Sequence, residues 1–157
     1  MTDSAIRVDL HTSLETVSQQ DWDRCADALS HPTADPFTTY RFLKALEDSG
    51  SVGEGTGWIP YYMTAHLDDV VIGCAPLYLK YHSQGEYIFD HSFAHAYEQA
   101  GGRYYPKLQI AVPFTPATGS RFLALDGHKD IAQTSLTRAA MEFATNNNLS
   151  SVHVTFC

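Results

Sequence analysis

The sequence predicts a single α/β domain, because strand-like and helix-like segments alternate along a chain of ordinary globular composition. The chain has 157 residues, of which 44% are hydrophobic and 18% are charged. It is therefore long enough to bury a normal core, and its composition is not that of a disordered polypeptide. The predicted order of elements is β-α-α-β-β-irregular-β-α-β, without internal repeats.

The first strand and the first helix are predicted from alternation and capping. Residues 7–11 alternate polar and apolar side chains, as in a half-buried strand. Ser18 is the expected N-cap of the helix, with Asp21 in the capping-box position three residues later. The helix should end before His31, which precedes a proline. Its expected buried face consists of Trp22, Cys25, Ala26 and Leu29.

A second helix is predicted from about Thr38 to Asp48, opened by Pro36 and ended by a Ser-Gly pair. Its expected buried face consists of Phe42, Leu43, Ala45 and Leu46. Two β-rich runs follow, at residues 58–67 and 70–81, and the acidic pair between them indicates a hairpin. Pro76 lies inside the second run and predicts a bulge or an edge position.

Three more elements are predicted in the C-terminal part of the chain. Residues 107–112 and 151–156 are expected to be strands, with Val152 and Val154 on one side of the last one. Asp130 to Asn146 is expected to be an amphipathic helix. Its buried side should carry Ile131, Leu136, Ala139, Ala140 and Phe143.

Charge and cysteine content exclude several classes of protein. The formal net charge is −8 and the ten basic residues form no cluster, so this chain is not expected to bind nucleic acid directly. No run approaches the roughly 18 apolar residues of a membrane-spanning helix, and residues 1–4 do not begin a secretory signal. Three cysteines at wide spacings argue against a disulfide framework or a zinc knuckle. Together these features favour a cytoplasmic protein.

Residues 81–107 have the composition of a functional surface. Five tyrosines, three histidines, three carboxylates, one arginine and one lysine occur there. Buried hydroxyls and charges each need a partner, so core segments rarely have this composition, and binding groups often collect in loops. The alternative is a hydrogen-bonded tyrosine cluster that fixes a long connection to the sheet.

Several blocks of the sequence resemble one family of uncharacterised bacterial proteins, the FemAB-like predicted N-acyltransferases. The blocks are residues 35–37, 49–53, 76–80, 85–90, 96–98, 104–108 and 112–119, so the similarity covers nearly the whole chain. The resemblance implies the fold of the GNAT acetyltransferases, an α+β three-layer structure with a mixed, mostly antiparallel central sheet flanked by helices. Family members are typically more than twice this length and have two GNAT-like halves. Residues 1–157 would then be a single GNAT-like domain, the N-terminal half, with an incomplete fold.

The resemblance also implies an activity, by analogy with the Fem aminoacyltransferases of peptidoglycan cross-bridges. An acyl or aminoacyl group would pass from acyl-CoA or aminoacyl-tRNA to an amine on a small molecule or peptide. The competing hypothesis is a non-catalytic recognition domain for a cell-wall peptide or an amino-acid ligand. A third reading is an assembly role, in which a strand near the end of the chain docks the missing half or a homo-oligomer mate.

Acyl transfer to an amine needs a base and a hydrogen-bond donor for the developing oxyanion. We therefore expect Glu86, Asp90 and Tyr104 to be catalytic. Substrate contacts are expected from Tyr87, Tyr97, Glu98, Arg103, Tyr105 and Lys107, whose cations could hold a carboxylate or phosphate. The alternative for each acidic residue is a solvated charge or a local cap.

Two further motifs carry weaker predictions. Thr118, Gly119, Ser120 and Arg121 lie where GNAT enzymes hold the cofactor pyrophosphate, and are the candidate cofactor-binding residues. The usual Arg/Gln-x-x-Gly-x-Gly/Ala pattern is absent, so plain turn chemistry is the alternative. His91 and His95 have the spacing of two zinc ligands on a helix, but Ser92 replaces the glutamate of a metalloprotease, and no metal is expected.

Overall fold

The structure is a computed structural model that describes residues 6–27, 29–32 and 34–157. Residues 1–4, for which the sequence predicts no secretory signal, lie outside the described residues. The strands are β1 Ile6–His11, β2 Trp58–Pro60, β3 Tyr62–Leu67, β4 Val70–Ala75, β5 Leu77–Lys80, β6 Lys107–Ile110, β7 Leu123–Ala124 and β8 Val152–Val154. The helices are α1 Gln19–Cys25, α2 Tyr40–Asp48, α3 His91–Gln99 and α4 Lys129–Asn146.

The strands form two four-stranded sheets, in the orders β1-β3-β4-β7 and β2-β5-β6-β8. Only the β6–β8 pair is parallel among the described strands. The predicted α+β class and mostly antiparallel pairing are confirmed. The family resemblance implied one central sheet, and the structure has two, because the long hairpin is interrupted in both arms, at Tyr61 and at Pro76. Pro76 has no N–H to donate to a neighbouring strand.

The hairpin itself forms as predicted. Leu67 pairs with Val70 across the two-residue turn, and Asp68 adopts a left-handed conformation with φ of 53°, as tight hairpin turns require. Two hydrophobic clusters lie on opposite faces of the strands and make three layers. One cluster packs under α1 and α2, and the other packs under α4.

The first two helices differ from the sequence prediction at their ends. Ser18 caps α1 as expected, its side chain accepting a hydrogen bond from the Asp21 N–H. The helix ends at Cys25 because Asp27 turns left-handed, with φ of 57°, and Leu29 is 58% exposed rather than buried. The second helix begins two residues later than predicted, because Thr39 is its N-cap and residues 36–38 form a separate 3-10 turn.

The buried faces of α2 and α4 are also corrected. Leu43 is fully buried in α2, whereas Ala45 is exposed and Phe42 and Leu46 are half-buried. In α4 the buried residues are Ala132, Leu136, Ala140 and Ala144, and Ile131 is exposed. Alanines face the sheet because the helix lies very close to it. A Cβ added to Gly73 would lie 2.6 Å from the Ala132 Cβ.

Two elements were not predicted, α3 and β7. The α3 helix forms inside the stretch expected to be irregular, and Ala94 is its only buried residue. One buried position in nine leaves no apolar period to recognise. The remaining predicted strands, residues 107–112 and 151–156, form over shorter spans as β6 and β8.

Candidate functional site

One face of the β2-β5-β6-β8 sheet is polar and buried. In β5 and β6, Lys80 pairs with Lys107 and Tyr78 pairs with Gln109, so these four side chains share a face. The opposite face carries the apolar residues that pack under α4. Together with the neighbours in β2 and β8, the polar face consists of Trp58, Tyr78, Lys80, Lys107, Gln109 and His153.

Residues 81–106 cover this face and place two carboxylates on it. The Lys107 Nζ lies 3.0 Å from Glu86 Oε2 and 3.0 Å from Asp90 Oδ2. The side chains of Lys107 and Glu86 are completely shielded from solvent, and that of Asp90 is 11% exposed. Tyr104 donates a hydrogen bond of 2.5 Å to the same Asp90 oxygen. We call Lys80, Glu86, Asp90, Tyr104 and Lys107 the buried ion cluster.

Lys80 is the second cation of the cluster. Its Nζ donates to the Gln84 carbonyl at 3.1 Å and lies 3.7 Å from the centroid of the Trp58 ring. Burial lowers the pKa of Lys80 to about 8, an effect that the neighbouring charge of Glu86 opposes and that of Lys107 reinforces. An amine held this way loses its proton more easily than an exposed lysine.

The two carboxyl groups differ in basicity. Burial raises the pKa of Glu86, and the hydrogen bond and charge of Lys107 offset only part of that effect. Burial also acts to raise the pKa of Asp90, but the hydrogen bonds from Tyr104 and Lys107 outweigh it and the pKa is lowered. Asp90 is therefore the more stable anion, and Glu86 is the better proton acceptor.

Besides the Tyr78 hydroxyl, four buried oxygen atoms of this site have no hydrogen-bond partner within the described part of the chain. They are Glu86 Oε1, Asp90 Oδ1, Gln109 Oε1 and the Tyr105 hydroxyl. Buried polar atoms are rarely left without a partner, and such atoms call for an explanation. Three of the four are pure acceptors when the carboxyls are ionised. A ligand that completes the site would therefore supply hydrogen-bond donors.

The tyrosines around the cluster fall into two groups. The ring of Tyr105 lies 4.9 Å from that of Tyr104, and the ring of Tyr97 lies 6.2 Å from it, both edge-on. Burial raises the pKa of Tyr105 to about 12, so its hydroxyl stays protonated. In contrast, the side chain of Tyr87 is 50% exposed.

Three other candidate residues lie outside the ion cluster. Glu98 is exposed on α3. Arg103 is also exposed and donates to the Asn148 carbonyl at 2.6 Å. Tyr87, Glu98 and Arg103 are all exposed, and their roles in substrate binding stay predictions.

The candidate cofactor loop is built around a buried guanidinium. Arg121 is 1% exposed and donates to the backbone carbonyls of residues 117, 119 and 155 at 2.5, 3.3 and 3.0 Å. Ser120 donates to the Phe122 carbonyl, and a Cβ on Gly119 would lie 2.3 Å from an Asp35 oxygen. Thr118 is exposed. The hydrogen bonds of Arg121 thus hold the backbone of residues 117–119 against the last strand, and binding of a cofactor there stays a prediction.

The two histidines with zinc-like spacing both lie on α3. His91 and His95 are exposed, and His91 Nδ1 lies 3.0 Å from the Ser83 hydroxyl. Within the described ranges, no group of three or more His, Cys, Asp or Glu side chains is arranged to hold a metal ion.

Five members of the polar face were not among the predicted site residues. They are the aromatic Trp58 and Tyr78 and the polar Lys80, Gln109 and His153. The alternation of polar with apolar residues in β5 and β6 could have indicated Lys80 and Gln109, since every second side chain of a strand shares a face. His153 could not have been found this way, because its place beside Gln109 depends on the parallel pairing of β6 with β8.

The lowered pKa of Lys80 predicts a pH-dependent stability. The folded protein releases the Lys80 proton near pH 8, whereas the unfolded chain keeps it up to the ordinary value of 10.5. Between these two pH values the unfolded chain binds more protons than the folded protein. The free energy of unfolding therefore increases as the pH rises through this window and decreases as the pH falls through it. We expect urea denaturation to show wild type gaining stability relative to Lys80→Met as the pH is raised across this window. A stability difference between wild type and Lys80→Met that stays constant with pH would contradict a lowered pKa of Lys80. Lys129→Met, which changes an exposed lysine, is the control.

The fold and the site together define a class of protein. It is an α+β domain of three layers, with a buried cluster of paired lysines and carboxylates on one sheet face. The chain belongs to the FemAB-like family, whose model, described as peptidoglycan biosynthesis/recognition, matches residues 13–157. Comparisons with curated proteins and with solved structures gave no match. Among the residues described, no helix combines the length and the apolar character needed to cross a membrane.

Proposed function

We propose that this chain forms the acceptor side of an N-acyltransferase that transfers an acyl or aminoacyl group to an amine during peptidoglycan biosynthesis. The single observation that carries the proposal is the set of unpartnered, buried acceptor oxygens on Glu86, Asp90 and Gln109. An alkylammonium group supplies three N–H donors, which matches such a set. Membership of a family described as peptidoglycan biosynthesis/recognition supports the same choice.

The chemistry assigns a different task to each residue. Asp90 stays ionised and holds the ammonium form of the acceptor, as it already holds the Lys107 ammonium at 3.0 Å. Glu86, whose pKa is raised by burial, takes a proton and leaves the nitrogen lone pair free. The nitrogen then attacks the acyl carbonyl carbon, a C–N bond forms, the bond to the leaving oxygen or sulfur breaks, and a second proton from the nitrogen passes to that leaving atom.

Tyr104 supports this arrangement from the side. Its hydroxyl donates to Asp90, and burial together with that carboxylate raises the pKa of Tyr104, so the hydroxyl remains a donor at neutral pH. The donor substrate, acyl-CoA or aminoacyl-tRNA, would lie beyond the cluster, with Thr118 to Arg121 or a second half of the site as its binding surface. Because the four oxygens are buried, residues 81–106 must open before the acceptor can reach them.

Transfer to a peptide that carries a free side-chain amine tests the proposal. The purified protein is incubated with labelled acetyl-CoA or aminoacyl-tRNA, and the acylated peptide is measured. Asp90→Asn and Glu86→Gln should each reduce the rate at least about 100-fold, the usual contribution of a positioned acid or base. Glu142→Gln, an exposed carboxylate on α4, should leave the rate unchanged. Equal rates for all variants would refute the site.

A recognition domain is the second candidate function. The observation that favours it is that the Arg121 guanidinium donates its hydrogen bonds to backbone carbonyls and does not offer them to a cofactor in an open loop. In that case the peptide would bind and Asp90→Asn would abolish its binding. Neither acetyl-CoA nor aminoacyl-tRNA would be consumed. Calorimetric titration with the peptide, run beside the transfer assay, separates the two functions.

A further inference from the structure

We propose that two copies of this chain dimerise through β1, with the two β1 strands joined antiparallel about a twofold axis that passes through Val8. The β1-β3-β4-β7 sheets of the two copies then form one continuous sheet. The buried ion cluster lies on the other sheet of the domain. The dimer therefore does not depend on the proposed function.

The outer edge of β1 is available to another strand. Among the described strands, β1 pairs with β3 alone, because it stands at the end of its sheet. Its six residues pair with β3 in one unbroken register, from Ile6 opposite Leu67 to His11 opposite Tyr62. In such a pair, every second residue of the edge strand directs its backbone N–H and C=O away from the neighbour. Proline, lysine and bulges commonly protect such edges, and β1 contains none of them.

The two faces of β1 differ in chemistry. Ile6 and Val8 are half-buried and pack against the hydrophobic cluster under α4. Alternation along the strand places Leu10 on the same face, where it is 39% exposed. Arg7 and Asp9 lie on the opposite face and form an ion pair with each other. A strand that extends this sheet must therefore bring apolar residues to one face and compatible charges to the other.

A second copy of β1 meets both requirements. A twofold axis perpendicular to the sheet keeps the faces of the two strands on the same sides. With the axis at Val8, Arg7 of each copy lies opposite Asp9 of the other, and Ile6 lies opposite Leu10. Opposite charges across a strand pair are stabilising, whereas like charges are destabilising. β1 is thus complementary to itself, as the symmetric interface of a twofold dimer requires.

Other registers of the same two strands are less favourable. An axis at Arg7 would place the two Arg7 side chains opposite each other, and an axis at Asp9 would do the same with the two carboxylates. An axis nearer to either end of β1 would shorten the paired segment. The charge pattern of the strand therefore selects both the occupant and its register.

A groove beside β1 faces the position of the second copy. It has a volume of about 530 Å³ and lies where Ile6 and Val8 meet α4, at Ile131 and Ala139 among others. Ile131 is 46% exposed. Because the axis keeps the apolar faces on one side, the second copy brings its own Ile6 and Leu10 to this side of the sheet. Burial of apolar surface from both copies favours association.

Sedimentation equilibrium tests the dimer and its charge pairs. The wild-type chain should approach twice its monomer mass as its concentration rises. Arg7→Asp and Asp9→Arg should each weaken self-association by about tenfold or more, because two attractive pairs become repulsive. Arg41→Asp, which changes an exposed arginine on α2, should have no effect. A wild-type chain that stays monomeric at every concentration would overturn the proposal and leave the edge of β1 to a strand of a different protein.

A mixture of the two charge variants separates pairing between copies from the ion pair within one strand. Each variant alone has lost its own pair of Arg7 with Asp9. In the mixed dimer, two acidic residues of one copy face two arginines of the other, so the mixture should associate about as tightly as wild type. Failure of the mixture to associate better than either variant alone would contradict the Val8-centred register.

Disulfide cross-linking measures the register without changing a charge. In a Cys157→Ser background, which removes the exposed cysteine, Val8→Cys places two thiols opposite each other on the axis. Their Cα atoms would be about 4.5–5.5 Å apart, within the range of a disulfide. Leu10→Cys is the matched control, because the two Leu10 positions lie about 14 Å apart in this register. Val8→Cys should form covalent dimers at least about tenfold faster than Leu10→Cys, although Leu10 is the more exposed residue. Equal or reversed rates would refute the register.

Discussion

Lys107→Met is expected to lower the free energy of unfolding by about 3–5 kcal/mol, the usual cost of removing one partner from a buried ion pair. The change keeps the length of the side chain and removes its charge. Glu86 and Asp90 would then remain in the interior without the cation that lies 3.0 Å from each. Urea denaturation followed by tryptophan fluorescence measures the loss.

A second substitution separates lost charge pairing from lost packing. Adding Glu86→Gln to Lys107→Met removes one of the stranded carboxylates, so the double variant should lose less stability than the sum of the two single variants. Lys129→Met is the matched control. That lysine is 73% exposed and 3.6 Å from Asp126, so its loss should change stability by no more than about 0.5 kcal/mol. Equal costs for the two lysines would mean that the ion cluster is solvated.

Arg121→Met is expected to cost about 2–5 kcal/mol even when no ligand is present. Three backbone carbonyls lose their donor, and each buried acceptor left alone costs about 1–3 kcal/mol. Arg121→Lys should recover only part of the loss, because an ammonium cannot reproduce the planar fork that reaches several carbonyls at once. Thermal and urea denaturation of the two variants, compared with wild type, measure the effect.

The control for Arg121 is another arginine with a backbone contact. Arg103 is exposed and donates to one carbonyl, so Arg103→Met should stay within about 0.5 kcal/mol of wild type. If Arg121→Met leaves the free energy of unfolding unchanged, the guanidinium is not required for folding and is available for a role in cofactor binding. A large loss means that activity measured with an Arg121 variant reports on folding as much as on the donor substrate.

The sequence predicted the elements whose local patterns are strong. The Asp68–Asp69 turn, the cap at Ser18 and the length of α4 depend on neighbouring residues, so they could be read without knowledge of the fold. The buried face of α4 could not be predicted from neighbouring residues in this way. Its larger apolar side chains suggested a stripe through Ile131, but the close approach of the helix at Gly73 favours alanines on that side.

The same division holds for the site. The density of tyrosines and carboxylates in residues 81–107 indicated where the chemistry lies, and it included Glu86, Asp90, Tyr104 and Lys107. Which of these residues meet was not predictable, because an amphipathic period describes one element at a time. Lys80 is the example. It joins the cluster through its pairing with Lys107, a partner 27 positions away along the chain.

By itself, the sequence determined the α+β class, the family resemblance and the segment that carries the polar groups, since each follows from local composition and order. The tertiary structure alone decided which charges are buried together and which of the two carboxyls is the better base. The physical reason is that burial and the distance between charges set a pKa and a hydrogen bond. Both quantities arise only when strands and helices distant in sequence pack against each other.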